Sequence, residues 1–376
     1  MKKICVNLVS EQTIPNTLFI MENKSSFDLY YFITTQKMES QSKSDHVIAA
    51  CSLQKDKVKK IQVVEDSVND ILNKLSLIKL SADDTCMVNI TGGTKLMTFL
   101  VYKYFFENYN ENSCFYYMPI DKNVIEKIHP FDQAKYIFPI ECRLNIKQYV
   151  KSVGLEIEDQ NKPALTVADF VTAKKILNMY ISNTLDYEAI SKLRKISGSF
   201  SEFSGKINIS GEKKIIELVN KIGKFSPDGL YKREADYITG GWFEEYVYFK
   251  IKNQLGLSDK CIDTGIKISN NEFDVIFIHN NTLFVVECKT GLKDLHSNKS
   301  IINDTIYKAV ALNKNFGLRT KSFIFTLDTN LRNAKGDFKD AVQKRLNDNF
   351  IKLADRKIIL NAQSEMEFIN SMFRSA

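Results

Sequence analysis

The chain is poor in residues that break regular structure, with 15 glycines and 6 prolines among 376 residues. That scarcity excludes collagen-like and mucin-like classes and argues against disorder. No apolar run approaches the roughly 20 residues needed to span a bilayer, so no membrane association is expected. The opening MKKICVNLVSEQ is basic and then apolar, but Glu11 cuts the run too short for a secretory leader. The seven cysteines (5, 51, 86, 114, 142, 261 and 288) are odd in number and scattered, and none has zinc-site spacing. The four histidines (46, 129, 279 and 296) are isolated. Reduced, mostly buried thiols in a soluble, cytoplasmic protein are the expectation. No internal repeat or low-complexity tract is present.

What the chain does have is a globular balance, 44% hydrophobic and 26% charged, and length for two or three domains. The net charge is +7, and residues 301 to 376 hold 13 Lys and Arg against 8 Asp and Glu. A polyanionic partner fits this excess, and so does a solvated basic surface.

Over the first 140 residues, strand-like and helix-like segments alternate. KICVNLV, FDLYYFITT, KKIQVV, TCMVNI, SCFYYMPI and KYIFPI read as strands, with amphipathic stretches such as EDSVNDILNKLSLIKL and TKLMTFLVYKYFFEN between some of them. This pattern predicts a mostly parallel sheet covered by helices. Residues 150 to 235 read as helices around the Ser/Gly-rich connection SGSFSEFSG, either a small helical or winged-helix domain or a helical linker. From 240 onward the expected order is a helix (240–256), strands at 262–268, 272–279 and 282–289, a helix (301–316), a strand (321–327), a helix (336–349), a short strand (356–360) and a terminal helix (363–373).

The most informative stretch is NEFDVIFIHNNTLFVVECK, residues 271 to 289. Asn280-Asn281 suits a two-residue type I′ turn, because Asn tolerates positive φ. Side chains alternate faces along a strand, so Ile278 then opposes Leu283, Ile276 opposes Val285, and Asp274 opposes Glu287. Opposed Cβ atoms lie about 4.5–5.5 Å apart. Two carboxylates this close repel unless a cation joins them. A divalent cation would turn them into a set of hard oxygen ligands. Lys289 falls on the same face, where it can neutralise phosphate, position water or stabilise transition-state charge. A surface cluster balanced by Lys289 is the alternative. The apolar opposite faces (Phe273, Val275, Phe277; Phe284, Val286, Cys288) favour the metal site, because they place the charges at the edge of a sheet buried on both sides. In GGWFEEYVYFKIKNQLG, Glu244 begins the stripe of Val247, Tyr248, Ile251 and Leu255 and is expected to face the sheet. A first-turn acid favoured by the helix dipole is its other reading.

The ordered set Gly240-x-x-Phe243-Glu244, Asp274 and Glu287-Cys288-Lys289 resembles the PD-(D/E)xK restriction-endonuclease-like fold. Phe273 stands where the motif has Pro. The resemblance implies a metal-dependent nuclease. Glu244, Asp274, Glu287 and the backbone carbonyl of Cys288 would hold magnesium or manganese, and Lys289 would join the three acids as a catalytic residue.

Nearer the start, CMVNITGGTKLMTFL places Thr91, Gly92, Gly93, Thr94 and Lys95 between a strand and a helix. Glycines admit a ligand close to backbone, and helix-start N–H groups attract phosphate. An ordinary Gly-rich turn is the plainer reading, and the Walker A pattern is absent. After the first strand, VSEQTIPN supplies Ser10, Gln12, Thr13 and Asn16, neutral groups suited to a nucleotide. These two loops resemble those of the CARF domain, the Rossmann-like sensor of cyclic oligoadenylates in type III CRISPR defence. The order of both loops, a helical middle and the nuclease motifs resembles the CARF nuclease effectors over nearly the whole chain.

The expected architecture is therefore α/β: a Rossmann-like CARF domain at 1–145, a helical or winged-helix segment at 146–235 and a restriction-endonuclease-like α/β domain at 236–376. The resemblance implies a homodimer that shares one cyclic tetra-adenylate on the loops at 10–16 and 91–95. It also implies an antiviral endonuclease, switched on by that ligand, that cleaves single-stranded RNA or DNA and nicks supercoiled DNA as a variant. The rival is a cyclic-oligoadenylate-responsive DNA-binding regulator with an inactive nuclease fold. A restriction enzyme without a nucleotide switch is the third reading.

Overall fold

The computed structural model describes residues 1–24, 27–120, 122–158, 166–201, 205–291, 306 and 315–373. The chain divides into two compact units. The first comprises Met1–Ile157 with Ile278–Leu283 and Leu312–Thr320, and the second holds the remainder. Among the described residues no helix is long and apolar enough to cross a membrane.

The first unit is built on a seven-stranded sheet. Its strands are β1 (Lys3–Leu8), β2 (Leu29–Thr35), β3 (Val58–Val63), β4 (Thr85–Asn89), β5 (Ser113–Tyr117), β6 (Val124–His129) and β7 (Ile137–Pro139). Their spatial order is β3-β2-β1-β4-β5-β6-β7. β1 pairs in parallel with both β2 and β4, β3 and β5 extend the parallel part, and β6 and β7 are antiparallel. Strands buried on both faces read as unbroken apolar runs, which is why KICVNLV and FDLYYFITT announce themselves. Six strands were expected. β6 is the addition, because VIEKIH carries charges and is only partly buried.

Helices α1 (Ile14–Glu22), α2 (Gln36–Ser40), α3 (Lys43–Ala50), α4 (Val68–Leu75), α5 (Lys95–Tyr109) and α6 (Ile146–Ser152) complete this unit. α5 starts where Thr94 caps it, accepting the Met97 N–H at 3.2 Å. α6 starts with a capping box between Asn145 and Gln148. One core cluster gathers Val6, Leu8, Val88, Val101, Phe105 and Phe115.

The second unit carries β8 (Ile262–Ile268), β9 (Asn271–His279), β10 (Thr282–Lys289), β11 (Thr320–Thr326) and β12 (Lys352–Ala354), in the order β12-β11-β10-β9-β8. The turns at the ends of β9, β10 and β11 count with the first unit. Asn280 and Asn281 have φ of 48° and 60°, the left-handed values a type I′ turn requires. Helices α7 (Phe170–Ile181), α8 (Tyr187–Ser197), α9 (Lys213–Ile222), α10 (Lys232–Asp236) and α11 (Trp242–Leu255) precede the sheet, and a kink at Tyr237–Gly241, where Gly240 leaves the helical conformation, joins the last two.

The helices expected in the middle of the chain are present, and they share a core with the sheet. Ile176, Leu193, Leu218 and Trp242 cluster with Val275, Phe277, Phe284 and Val286. A second cluster, Ile324, Leu331, Val342, Leu346 and Leu353, includes α12 (Asp340–Asp348). The sheet is thus buried on both faces.

The strand expected at 356–360 is instead helix α13 (Arg356–Ile359). The strand lies earlier, at β12, paired in parallel with β11. Asp355 decides this, because its carboxylate caps α13 by accepting the Ile358 N–H at 3.3 Å. α14 (Ala362–Ser371) ends the described chain. The helix expected at 301–316 lies outside the described residues, apart from Ile306, Asn315 and Phe316.

Candidate active site and sensor loops

β9 and β10 bring Asp274, Glu287 and Lys289 together. The Lys289 ammonium lies 3.0 Å from Oδ2 of Asp274 and 3.3 Å from Oε2 of Glu287, so both carboxylates reach one cation. Glu287 is fully buried and Asp274 nearly so. Asp274 Oδ2 also accepts the Cys288 backbone N–H at 2.7 Å, and its own carbonyl accepts the Thr264 hydroxyl at 2.7 Å. Two main-chain contacts thereby fix the aspartate. On β8, the residue opposite Asp274 is Gly265, at φ 63°, between the pairs Thr264–Val275 and Ile266–Phe273. A glycine there fits the left-handed backbone.

Charge dominates this end of the sheet. Burial, and then the carboxylate of Asp274, push Glu244 well above the usual carboxylate range; Lys289 opposes this, and Glu272 and Glu287 add to it. Glu244 on α11 therefore senses the cluster, as the helical stripe predicts. Burial pulls the Lys289 pKa down, yet Asp274 and Glu287 outweigh it and hold the ammonium above its ordinary value. Burial and the Asp274 charge raise the Cys288 thiol, which leaves it an inert apolar filler on the core side. Glu245 is buried too but serves the fold instead, accepting the backbone N–H groups of Val167 and Ala168.

Among the described residues no group of three or more His, Cys, Asp and Glu is arranged to hold a metal ion. The chemistry of the donors nonetheless suits a hard divalent cation. They are carboxylate oxygens, and Glu244, Glu272, Asp274 and Glu287 outnumber the single ammonium among them.

In the first unit, the sheet reverses direction of growth between β1 and β4. The loops after these two strands flank that switch point, where open α/β sheets bind ligands. They are Val9–Thr13 and Ile90–Thr94. A Cβ on Gly92 would lie 2.1 Å from the Leu8 carbonyl oxygen and 3.3 Å from the Ser10 hydroxyl oxygen, so the two loops touch. Gly93 has φ 78°.

Thr91 is tied down by Asn89 Oδ1, to which its hydroxyl donates at 2.6 Å, and it accepts the Met118 N–H at 2.9 Å. Thr94 and Lys95 are exposed at the start of α5. Ser10 donates to the Gln12 carbonyl. Thr13 and Asn16 are buried and hold the loop from within: Thr13 donates to the Ser152 carbonyl at 2.6 Å, and Asn16 donates to the Leu8 carbonyl at 2.9 Å.

An open cavity of about 280 Å³ lies beside the first loop, lined by Glu11, Gln12, Thr13, Gln41, Lys43 and Asn315, among others. Sequence reading missed Glu11, Gln41, Lys43 and Asn315. They come from separate segments, and no spacing connects them.

Comparison with known proteins adds to this geometry. Residues 4–149 match the family model of the Card1 CARF domain, and residues 231–373 match that of the Card1-like endonuclease domain. The chain belongs to this CARF-endonuclease family. Two solved structures align over nearly all of it. Can2 from Sulfobacillus thermosulfidooxidans, in complex with cyclic tetra-adenylate, has a TM-score of 0.70 at 21% identity, covering 98% of this chain and 99% of that one. Protein VC1899 from Vibrio cholerae has a TM-score of 0.72 at 14% identity, covering 98% and 96%. A type III CRISPR defence DNA nuclease activated by cyclic oligoadenylate aligns at 0.55 and 14% identity, covering 92% of this chain and 52% of that one. At these identities the likeness speaks for the shared fold. The sequence has no match among curated proteins. The family assignment makes the Asp274, Glu287 and Lys289 cluster the candidate centre of a nuclease.

Proposed function

We propose that this protein is an endonuclease of type III CRISPR antiviral defence, activated by cyclic tetra-adenylate and dependent on a divalent metal, that cleaves single-stranded RNA or DNA and nicks supercoiled DNA. The observation that carries the proposal is the contact of both Asp274 and Glu287 with one ammonium, in a chain whose two halves match CARF and endonuclease models.

Asp274, Glu287 and the Cys288 carbonyl would hold magnesium or manganese, with Glu244 assisting. When bound, the metal supplies Lewis acidity and lowers the pKa of a water. Lys289 balances charge growing on the phosphate oxygens, and Asp274 is kept in place by its two main-chain contacts. Such hydrolysis needs no ribose 2′-hydroxyl, so either sugar is compatible with the site.

The activator would lie at the switch point, contacting Ser10, Gln12 and Thr91–Lys95, with Thr13 and Asn16 shaping the first loop. The loops after β1 and β4 lie at one switch point, and a cyclic tetranucleotide has a two-fold axis of its own. Two copies related by a two-fold axis would share a ligand of matching symmetry, so the proposal includes a homodimer. Activation is then a coupling between distinct sites.

Cleavage by the purified full chain tests this. Single-stranded RNA, single-stranded DNA and supercoiled plasmid are each incubated with manganese, magnesium or chelator, with and without cyclic tetra-adenylate. Cleavage requiring both metal and activator is expected, as is its loss in Glu287→Ala and Lys289→Ala with activator binding retained. Full activity in either variant removes that residue from catalysis. Activity without activator overturns the switch.

A further inference from the structure

A centre with four acids and one lysine repels the phosphates it must cut. Strand binding therefore needs a cation beside the centre, and one is in place. On α7, the Tyr180 hydroxyl donates to the Thr290 carbonyl at 3.3 Å, and Thr290 directly follows Lys289. The same hydroxyl lies 3.5 Å from the Leu327 carbonyl, and the Leu327 N–H donates to the Lys289 carbonyl at 3.0 Å. Tyr180 is thus anchored at the end of the sheet where β10 finishes in the catalytic lysine. Tyr187 meets the Tyr180 ring edge to face, with centroids 6.3 Å apart at 81°. The Arg356 guanidinium lies 5.3 Å from the centroid of the Tyr180 ring.

The side-chain interactions of Arg356 are with this aromatic pair: it also hydrogen-bonds the Tyr180 hydroxyl, and its charge acts on Tyr187. Among the described residues it makes no ion pair, and the neighbouring Asp355 is taken by Arg332. Asp328, at the end of β11, also acts on Tyr180 through its charge. Tyr180 is buried, whereas Tyr187 and Arg356 are half-exposed. A guanidinium stacked on an aromatic ring presents its N–H fork to a phosphate, and an adjoining phenol ring offers a face to a base. Stacking and phosphate contact together are how single strands are held without sequence preference.

We propose that Tyr187 and Arg356, positioned by Tyr180, bind the substrate strand next to the scissile phosphate: Arg356 takes a flanking phosphate and Tyr187 stacks on a base. The proposal rests on the nuclease reading of Asp274, Glu287 and Lys289, and its first test does not require cleavage. In a Glu287→Gln background, binding of a fluorescent single-stranded oligothymidylate and oligouridylate is followed by anisotropy over a salt series.

Arg356→Ala is expected to weaken binding about tenfold and to flatten the logarithmic salt slope by about 0.7. Arg356→Lys recovers the slope. Tyr187→Ala weakens binding with the slope unchanged, and Tyr187→Phe, which keeps the ring, binds normally. In the active protein, Arg356→Ala raises KM more than it lowers kcat. Unchanged binding in both Arg356→Ala and Tyr187→Ala overturns the proposal, as does a loss that Arg356→Lys and Tyr187→Phe share while their melting temperatures are unchanged. If oligonucleotide binds as expected but no metal supports cleavage, the nuclease reading fails and the strand site stands.

Discussion

The Lys289 ammonium lies 3.0 Å from Asp274 Oδ2, on the adjoining strand, and 3.3 Å from Glu287 Oε2. Its removal takes a positive charge away from two buried acids. The side chain of Lys289 is 33% exposed while that of Glu287 is 0% exposed, so solvent screens part of the pair. Lys289→Met is expected to cost on the order of 1–3 kcal/mol without metal. Manganese replaces the missing charge, so it should raise the melting temperature of Lys289→Met more than that of the parent chain. Thermal melts with and without manganese check this, and equal shifts in the two proteins would contradict it.

Glu245 makes stability depend on pH. Burial raises its pKa from 4.5 to about 7, against the two backbone N–H groups that lower it. A carboxyl raised on folding binds more protons in the native state than in the unfolded one. Its contribution is therefore fully present below pH 4.5 and is lost as pH rises to about 7. The loss amounts to at most about 3 kcal/mol. Glu245→Gln does not titrate, so its urea midpoint should fall less between pH 5 and pH 7.5 than that of the parent. Parallel pH profiles would remove Glu245 as the cause.

The nuclease hairpin was legible because its signals are local. Asn-Asn demands a turn, alternation sets the faces, and the acids stand out from buried runs; β8 and β10 were placed with the bounds the structure gives. The sensor sheet was legible for the same reason. β6 was not, because a partly buried strand with Glu126 and Lys127 has no apolar run to reveal it. The segment at 356–360 misled because Ile358, Ile359 and Leu360 favour a strand while Asp355 caps a helix. Tyr180 and Arg356 lie 176 positions apart in the sequence, and only the fold makes them neighbours. Thr13 and Asn16 read as ligand groups by type, and only the coordinates reveal their bonds to Ser152 and Leu8.

Gly92 is irreplaceable for steric reasons. A Cβ there would come within 2.1 Å of the Leu8 carbonyl oxygen, and backbone has little freedom to yield. Gly92→Ala must push the loop after β4 off the end of β1, which strains the backbone by about 1–3 kcal/mol. The expected result is a lower melting temperature together with weakened binding of cyclic tetra-adenylate in a calorimetric titration. Normal affinity in Gly92→Ala would detach this junction from the ligand site.

Lys95 has the opposite character: exposed, at the first position of α5. Free N–H groups and a cation at a helix start favour an anion. Lys95→Ala should leave the melting temperature unchanged and weaken activator binding by about tenfold, a loss of roughly 1.4 kcal/mol. Cyclic tetra-adenylate, the proposed activator, is a polyanion, so the loss should shrink as salt rises and screens the contact. Calorimetric titrations at low and high potassium chloride check both statements. A weakening that persists undiminished at high salt would mean that Lys95 shapes the loop, and the phosphate contact would have to be sought among the neighbouring backbone N–H groups instead.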